Sequence, residues 1–390
     1  MSTRFFHFFS SLMVASLLTG CGSKKEVPSP VILVHEVYSQ GENINFTKVH
    51  ESKYKCEYPF GGDNGKNLFF SMRDNESQSF SNICRKEDPV GMSVIQLTGG
   101  NNQNLRPSYS AVTNMVAFQN SPEGKGCSDI YMVNATQGGA LQQVTNTPDY
   151  NETDPCLSRD GRKIVYERRR YGASLHNTEI WVKDLQTNEN IQLGLGRTPC
   201  FSPDGRSIAY VKYANDSYAT YLCTINIDGT SLTQLTDVSK GSVLNPCFSP
   251  DGRRIVFQCR TQQKDDNDLY VIDRSGSNLT QLTINKSYDG EPYWANNGNI
   301  YFTSDRGAAN EHYQIWSLNY GQQVYPQSSS TTTGSVAPQQ YYGTYHTVLG
   351  GETITQIAKK YGITVRDVVK WNKLTTMTLV PGMKLKVSAQ

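Results

Sequence analysis

The feature that most constrains this chain is a motif that returns along its middle. Thr198-Pro199-Cys200-Phe201-Ser202-Pro203-Asp204-Gly205-Arg206, leading to Ile208-Ala209-Tyr210, comes back as Asn245-Pro246-Cys247-Phe248-Ser249-Pro250-Asp251-Gly252-Arg253, leading to Ile255-Val256-Phe257. A third copy runs from Asp154 and Cys156 through Ser158, Asp160, Gly161 and Arg162 to Tyr166. Weaker copies are Arg106-Pro107-Ser108-Tyr109 before Val116-Ala117-Phe118, and Glu291-Pro292-Tyr293-Trp294 before Ile300-Tyr301-Phe302. Another is Tyr58-Pro59-Phe60, then Asp63-Asn64-Gly65-Lys66, then Leu68-Phe69-Phe70. Self-similarity of this kind implies one supersecondary unit per copy, none of which can bury its faces alone.

Each copy has the pattern strand, turn, strand. Proline presets φ and glycine accepts positive φ, so Pro-Asp-Gly makes a tight turn. The flanks are aromatic or β-branched, as strands prefer. Two more strand signatures follow in most copies. One is Asp129-Ile130-Tyr131, Glu179-Ile180-Trp181 and Asp268-Leu269-Tyr270, with Gln314-Ile315-Trp316 as a variant. The other is Gln96-Leu97-Thr98, Gln143-Val144-Thr145, Gln234-Leu235-Thr236 and Gln281-Leu282-Thr283, with Gln192-Leu193-Gly194 as the imperfect member. Four antiparallel strands make a propeller blade, and blade starts near Cys56, Leu105, Thr153, Thr198, Asn245 and Gly290 make six. Blades arranged about an axis cover one another's faces. The sixth copy lacks a Gln-apolar-Thr strand. Val324-Tyr325 or Ile44–Phe46 could supply it, and the N-terminal segment is favoured because it joins the two ends of the ring. The 23 tyrosines and 32 glycines suit short strands and tight turns.

The Ser-Pro-Asp-Gly-Arg turns in register with Asp-Ile-Tyr and Gln-Leu-Thr strands resemble the TolB-type propeller over about residues 56–318. In that family the propeller face and channel bind peptides and a peptidoglycan-associated lipoprotein. This chain departs from it by lacking a recognisable preceding α/β domain and by having its own candidate lipid and wall modules.

The ends carry different information. Phe5 to Leu18 is an apolar stretch of signal-peptide length behind Arg4. It leads into Leu18-Thr19-Gly20-Cys21, which resembles the bacterial lipobox. That resemblance implies diacylglycerol on the Cys21 thiol and cleavage before it. Gly22 in place of aspartate implies the outer membrane. Residues 321–343 turn to Gln, Ser, Thr and Pro, the composition of a tether that buries no core. Beyond it, Tyr345–Val348 has strand character. Ile354, Ile357, Ala358 and Tyr361 have helical spacing, and Gly362 ends that helix. Val365, Val368, Val369 and Trp371 mark a second helix, and Lys384–Val387 a last strand.

Tyr345, Val348, Gly351-Glu352-Thr353-Ile354, Ile357-Ala358, Tyr361, Asn372, Pro381-Gly382, Leu385 and Val387 together resemble the LysM module. The resemblance implies binding to N-acetylglucosamine-containing glycan, hence to peptidoglycan. The groove falls between two loops, Gly351, Glu352, Thr353 and Ile354 on one side and Thr378, Leu379, Val380 and Pro381 on the other. Backbone amides and Thr353 can hydrogen-bond acetamido groups, while Ile354 and Leu379 can pack on sugar faces. Glu352 stands where many members have aspartate.

A net charge of +2 gives no electrostatic case for nucleic acid as a partner. The eight cysteines beyond Cys21 permit disulfides in an exported chain, with connectivity open. Asp160, Asp204 and Asp251 are repeat-equivalent turn residues rather than a carboxylate site. Cys156, Cys200 and Cys247 are repeat-equivalent small buried residues. Asp265-Asp266-Asn267-Asp268 lacks the ligand spacing of a calcium loop. The expected architecture is mainly β. A signal peptide (1–20) precedes an N-terminal tether with a candidate closing strand (21–55), a six-bladed propeller of four-stranded blades (56–320), a linker (321–343) and a small α+β (βααβ) LysM domain (344–390). The expected function is a non-enzymatic outer-membrane lipoprotein, without metal or cofactor, that faces the periplasm, binds peptidoglycan and docks an envelope protein as a scaffold. The rivals are a glycan-processing enzyme and a soluble-ligand sensor, either built on the propeller.

Overall fold

The computed structural model describes residues 46–387 except 51, 63–65, 74–79, 88–92, 125, 137–138, 216, 261–266, 285, 308–311, 321–344, 349–352, 355–356, 359–364, 373, 375–378 and 380–382. The chain forms two compact units, divided between Gln323 and Val324. Cys21, the tether 321–343, Gly351, Glu352, Thr378, Val380, Pro381, Asp265 and Asp266 lie outside the described residues. Among the described residues, no helix is long and apolar enough to cross a membrane.

The larger unit is a succession of four-stranded antiparallel meanders. Blade I comprises Cys56–Gly61, Leu68–Arg73, Ser81–Lys86 and Val94–Gln96. Blade II comprises Asn102–Ser110, Met115–Pro122, Asp129–Asn134 and Gln142–Gln143, and one parallel bridge, Ser81 to Gln103, joins it to blade I. Blade III comprises Tyr150–Leu157, Lys163–Arg170, Glu179–Asp184 and Asn190–Leu195. Blade IV comprises Arg197–Phe201, Ser207–Tyr213, Thr220–Asn226 and Thr233–Gln234. Blade V comprises Ser242–Phe248, Arg254–Arg260, Asp268–Asp273 and Thr280–Gln281. Blade VI has Asp289–Trp294, Asn299–Ser304 and Gln314–Asn319 from its own copy, and Phe46–His50 as its fourth strand.

That fourth strand pairs antiparallel with Gln314–Asn319, Phe46 opposite Leu318. The ring therefore closes through an N-terminal strand, set slightly further along the chain than the expected Ile44–Phe46. Its seat is fixed by a buried ion pair. Arg306 bonds the fully buried Asp289, which also accepts from Ser304 Oγ at 2.6 Å. The same guanidinium stacks 4.1 Å from the Phe46 ring.

Apolar clusters fill every junction between successive blades. Ile180 and Val182 of blade III meet Ile208 and Tyr210 of blade IV. Val211 and Leu222 of blade IV meet Phe248 and Phe257 of blade V. The last junction sets Tyr301 and Ile315 of blade VI against Leu68 and Phe70 of blade I, which completes the circle. Each such aliphatic or aromatic side chain contributes about 1.5–3 kcal/mol when fully buried, so a blade without neighbours would lose its main stabilising term.

Two recurring motifs have a local physical reason. In the Ser-Pro-Asp-Gly turn, Ser202 Oγ donates to Asp204 Oδ1 at 2.6 Å and accepts from Ser207 N–H at 2.9 Å. Asp204 Oδ1 also accepts from Arg206 N–H at 3.1 Å, and Gly205 takes φ +68°. Ser158-Asp160 and Ser249-Asp251 repeat these bonds. In the Gln-apolar-Thr motif, the Thr98, Thr145, Thr236 and Thr283 hydroxyls accept the N–H of Ile83, Ile130, Leu222 and Leu269 at 2.8–2.9 Å. The side chain thus takes the place of a strand carbonyl where the outer strand ends.

In the C-terminal unit, Tyr345–Thr347 pairs antiparallel with Lys384–Lys386, and Val365–Asn372 is helical. Ile354, Ile357 and Ala358 are also helical. These residues enclose a core of Val348, Ile354, Ile357, Val368, Leu385 and Val387. Asn372 pins helix to strand: its Nδ2 donates to Val368 O and Lys386 O, both at 2.8 Å, and its Oδ1 accepts from Lys386 N–H at 2.5 Å.

Candidate functional site

The innermost strand of each blade is interrupted by a register shift at an X-Pro pair: Tyr58-Pro59, Arg106-Pro107, Asp154-Pro155, Thr198-Pro199, Asn245-Pro246 and Glu291-Pro292. Every one of these X residues has positive φ, between 49° and 57°, although none is glycine. Left-handed backbone at a non-glycine residue is strained and persists where the surroundings over-determine it. Here the second strands supply part of that support. Gln119 Oε1 accepts from Asp154 N–H at 3.4 Å, Glu167 Oε1 from Thr198 N–H at 2.6 Å, Gln258 Oε1 from Glu291 N–H at 2.8 Å and Thr303 Oγ1 from Tyr58 N–H at 3.1 Å. The corresponding residue of blade IV is Val211. There Asn245 N–H turns instead to Thr198 Oγ1 at 3.2 Å.

The result is a ring of Tyr58, Arg106, Asp154, Thr198, Asn245 and Glu291 around an axial cavity of about 110 Å³. A second cavity of about 100 Å³ continues along the innermost strands, past Cys156, Cys200 and Cys247 to Phe201 and Pro203. Arg106 dominates the ring. It is ion-paired with Asp154, donates to Asn245 Oδ1 at 3.1 Å and stacks 4.3 Å from the Tyr58 ring. Burial works against the Arg106 charge, but Asp154 and its neighbours outweigh burial and hold the guanidinium protonated. Burial, opposed by Arg106, lifts the Asp154 carboxyl to about 7. Burial and then Glu291 raise Glu57, and burial raises the Tyr58 phenol. Glu291 Oε1 accepts from Tyr288 Oη at 3.0 Å, while its buried Oε2 has no hydrogen-bond partner among the described residues. Arg197 pairs with Glu167 at 3.5 Å beside the ring. The cavity therefore presents both signs of charge, several donors and acceptors and an aromatic face.

Asp160, Asp204 and Asp251 are absent from this cavity and are satisfied within their turns. Their bonds to Ser158 and Ser202 hold the Asp160 and Asp204 carboxyls below the ordinary range. Among the described residues, no group of three or more His, Cys, Asp and Glu is placed to hold a metal ion. Sequence reasoning did not find the ring. The available signal was a proline at the same place in every copy, preceded each time by a different residue.

In the C-terminal unit, Thr353 is exposed and its carbonyl accepts from Ile357 N–H at 3.1 Å, so it opens the first helix. Ile354 is only 3% exposed and belongs to the module's core. The side chain expected to pack on sugar is thus mostly covered by this core. Leu379 is half-buried against the same core.

Comparison with known proteins agrees with both units. Residues 194–359 match the TolB beta propeller domain family, and residues 346–388 match the LysM domain family. The chain carries a TolB-type propeller domain and a LysM domain. The propeller is similar to a TolB-type protein of Agrobacterium tumefaciens (TM-score 0.50, 20% identity, covering 62% of this chain and 87% of that one). It is also similar to TolB of Acinetobacter baumannii (TM-score 0.50, 15% identity, 66% and 64%). At such identities the likeness concerns the fold alone. The chain is 40% identical over 63 residues to the N-acetylmuramoyl-L-alanine amidase Sle1 of Staphylococcus aureus strain USA300, covering 16% of this chain. It spans 19% of the length of that relative.

Proposed function

We propose that the chain is a non-enzymatic outer-membrane lipoprotein that binds peptidoglycan through its LysM domain and docks a periplasmic protein or peptide on its propeller. The observation that carries this reading is the presence in one chain of a LysM domain and a TolB-type propeller with a charged axial ring. Lipid on Cys21 is the membrane anchor. In the wall-binding module, Gly351, Glu352, Thr353, Thr378, Leu379, Val380 and Pro381 bind glycan directly, and Ile354 contributes through its main chain.

The perturbed Asp154 and Glu57 favour a second reading, a sensor of a small soluble ligand in the axial cavity. Size supports the first reading. Pockets for drug-sized ligands hold roughly 300–1,000 Å³. The axial cavity, at about 110 Å³, suits one side chain or chain end of a partner rather than a sugar or cofactor.

Co-sedimentation with protein-free peptidoglycan sacculi tests the reading. The full chain pellets and a chain ending at Tyr320 stays in solution. If neither pellets, the LysM assignment of function is wrong; if both pellet, the propeller touches the wall itself and the glycan-processing alternative gains ground.

A further inference from the structure

Three successive innermost strands carry a cysteine two residues after the bulge: Cys156 in blade III, Cys200 in blade IV and Cys247 in blade V. Their sulfurs form a row. Phe201 N–H donates to Cys156 Sγ at 3.4 Å, and Trp294 N–H to Cys247 Sγ at 3.5 Å. In blade II, Ser108 Oγ accepts the matching bond from Leu157 N–H at 2.9 Å. A hydroxyl is therefore enough to fasten one blade to the next, and the fastening role leaves the choice of sulfur unexplained.

The thiols also lie side by side: Cys200 packs on both flanking apolar clusters, one holding Cys156 and the other Cys247. All three line both axial cavities, which gives a reagent a route along the axis. Contact with Cys200 and then burial keep the Cys156 thiol well above its ordinary pKa. At Cys200 the bond to Cys156 pulls the pKa down, but Cys247 and burial outweigh it, so that thiol is raised as well. With their pKa raised, the Cys156 and Cys200 thiols exchange slowly at neutral pH.

We propose that Cys200 is the shared member of two alternative disulfides at the axis, one to Cys156 across the blade III–IV junction and one to Cys247 across the blade IV–V junction, formed by exchange with a disulfide-bearing oxidant. Cys200 loses its proton and its thiolate attacks one oxidant sulfur. A mixed disulfide forms and the other oxidant sulfur leaves as a thiolate. The thiolate of Cys156 or Cys247 then attacks Cys200 Sγ, closing the protein disulfide and expelling the second oxidant sulfur. Two electrons and two protons pass to the oxidant, which ends as two thiols. One of the three cysteines always stays reduced, so the staple can move between junctions by internal exchange.

The test is independent of the wall-binding reading. The full chain is incubated with the small linear oxidant bis(2-hydroxyethyl) disulfide at about pH 8.5, blocked with iodoacetamide in denaturant, digested without reduction and mapped by mass spectrometry. The expected products are peptides linked Cys156–Cys200 and Cys200–Cys247, with one alkylated thiol of the three in each molecule. Linkage accelerates roughly tenfold per pH unit below the thiol pKa. Cys200→Ser abolishes both linkages, and Cys156→Ser leaves only Cys200–Cys247. Circular dichroism checks that the serine variants fold, as Ser108 in the matching place of blade II leads us to expect. Full alkylation of all three thiols after oxidation overturns the proposal, as does a Cys156–Cys247 linkage that persists in Cys200→Ser.

Discussion

The turn at the end of each innermost strand and the bulge in its middle lie only a few residues apart, yet they use repetition in opposite ways. The turn keeps its chemistry: Ser158-Asp160, Ser202-Asp204 and Ser249-Asp251 make the same bonds. The bulge keeps only its backbone. Six different side chains, Tyr58, Arg106, Asp154, Thr198, Asn245 and Glu291, share φ values from 49° to 57°. Where a repeat keeps the residue, the backbone needs that residue. Where it keeps a strained conformation and changes the residue, the side chains are free to serve something other than folding. The same residue type shows the contrast directly: Asp204 in the turn is held below the carboxylate range, and Asp154 in the bulge is lifted to about 7.

The largest expected effect concerns the bulge. Arg106→Ala leaves Asp154 without its cation in a buried site and lowers stability by about 3 kcal/mol, measured by urea denaturation. It also abolishes whatever docking uses the axial ring. A cost no greater than that of a turn substitution would erase the distinction between the two regions. Asp204→Ala is the smaller change. It removes two hydrogen bonds at the surface and costs about 1 kcal/mol in the same measurement, without altering docking.

The smallest effect separates the two aspartates by pH. The folded pKa of Asp154 lies above its unfolded value, so the folded state binds the extra proton and stability falls as pH rises from about 4 to 7. Asp154→Asn flattens that slope. Asp204 has the opposite shift, so it stabilises the fold above the unfolded carboxylate pKa, and that contribution is lost as pH falls through the folded value. Asp204→Asn changes the stability profile only on the acid side, below about pH 4. Denaturation midpoints from pH 3 to 8 would read both. Identical profiles for the two variants would mean that the bulge and the turn do not differ electrostatically.

The blades were legible in the sequence because their signals are local. Pro-Asp-Gly needs only its own turn, and Asp129-Ile130-Tyr131 needs only its neighbouring strands. The Gln-apolar-Thr segments were legible as position but not as mechanism. Thr233–Gln234 and Thr280–Gln281 pair for two residues, after which a threonine hydroxyl replaces the ladder. The axial ring was not legible. Arg106 meets Asp154 and Asn245 only because closing the circle brings positions 48 and 139 residues away to one point. Nor does a residue before proline announce a left-handed conformation, since proline biases its predecessor toward extended backbone. In the LysM domain, whether Ile354 lies in the core depended on packing that spacing alone does not resolve.

The strand that closes the ring has a mechanical consequence. Phe46 lies opposite Leu318, so the chain enters the propeller at Phe46 and leaves it near Tyr320 at the same end of one strand pair. Tension between those two segments falls first on the hydrogen bonds at that end and peels them in sequence, rather than shearing the whole row at once. The remaining blades carry no load until Phe46–His50 has come away. Blade VI is thus the fuse of the ring, and the stacking of Arg306 on Phe46 lies at the end that takes the load first.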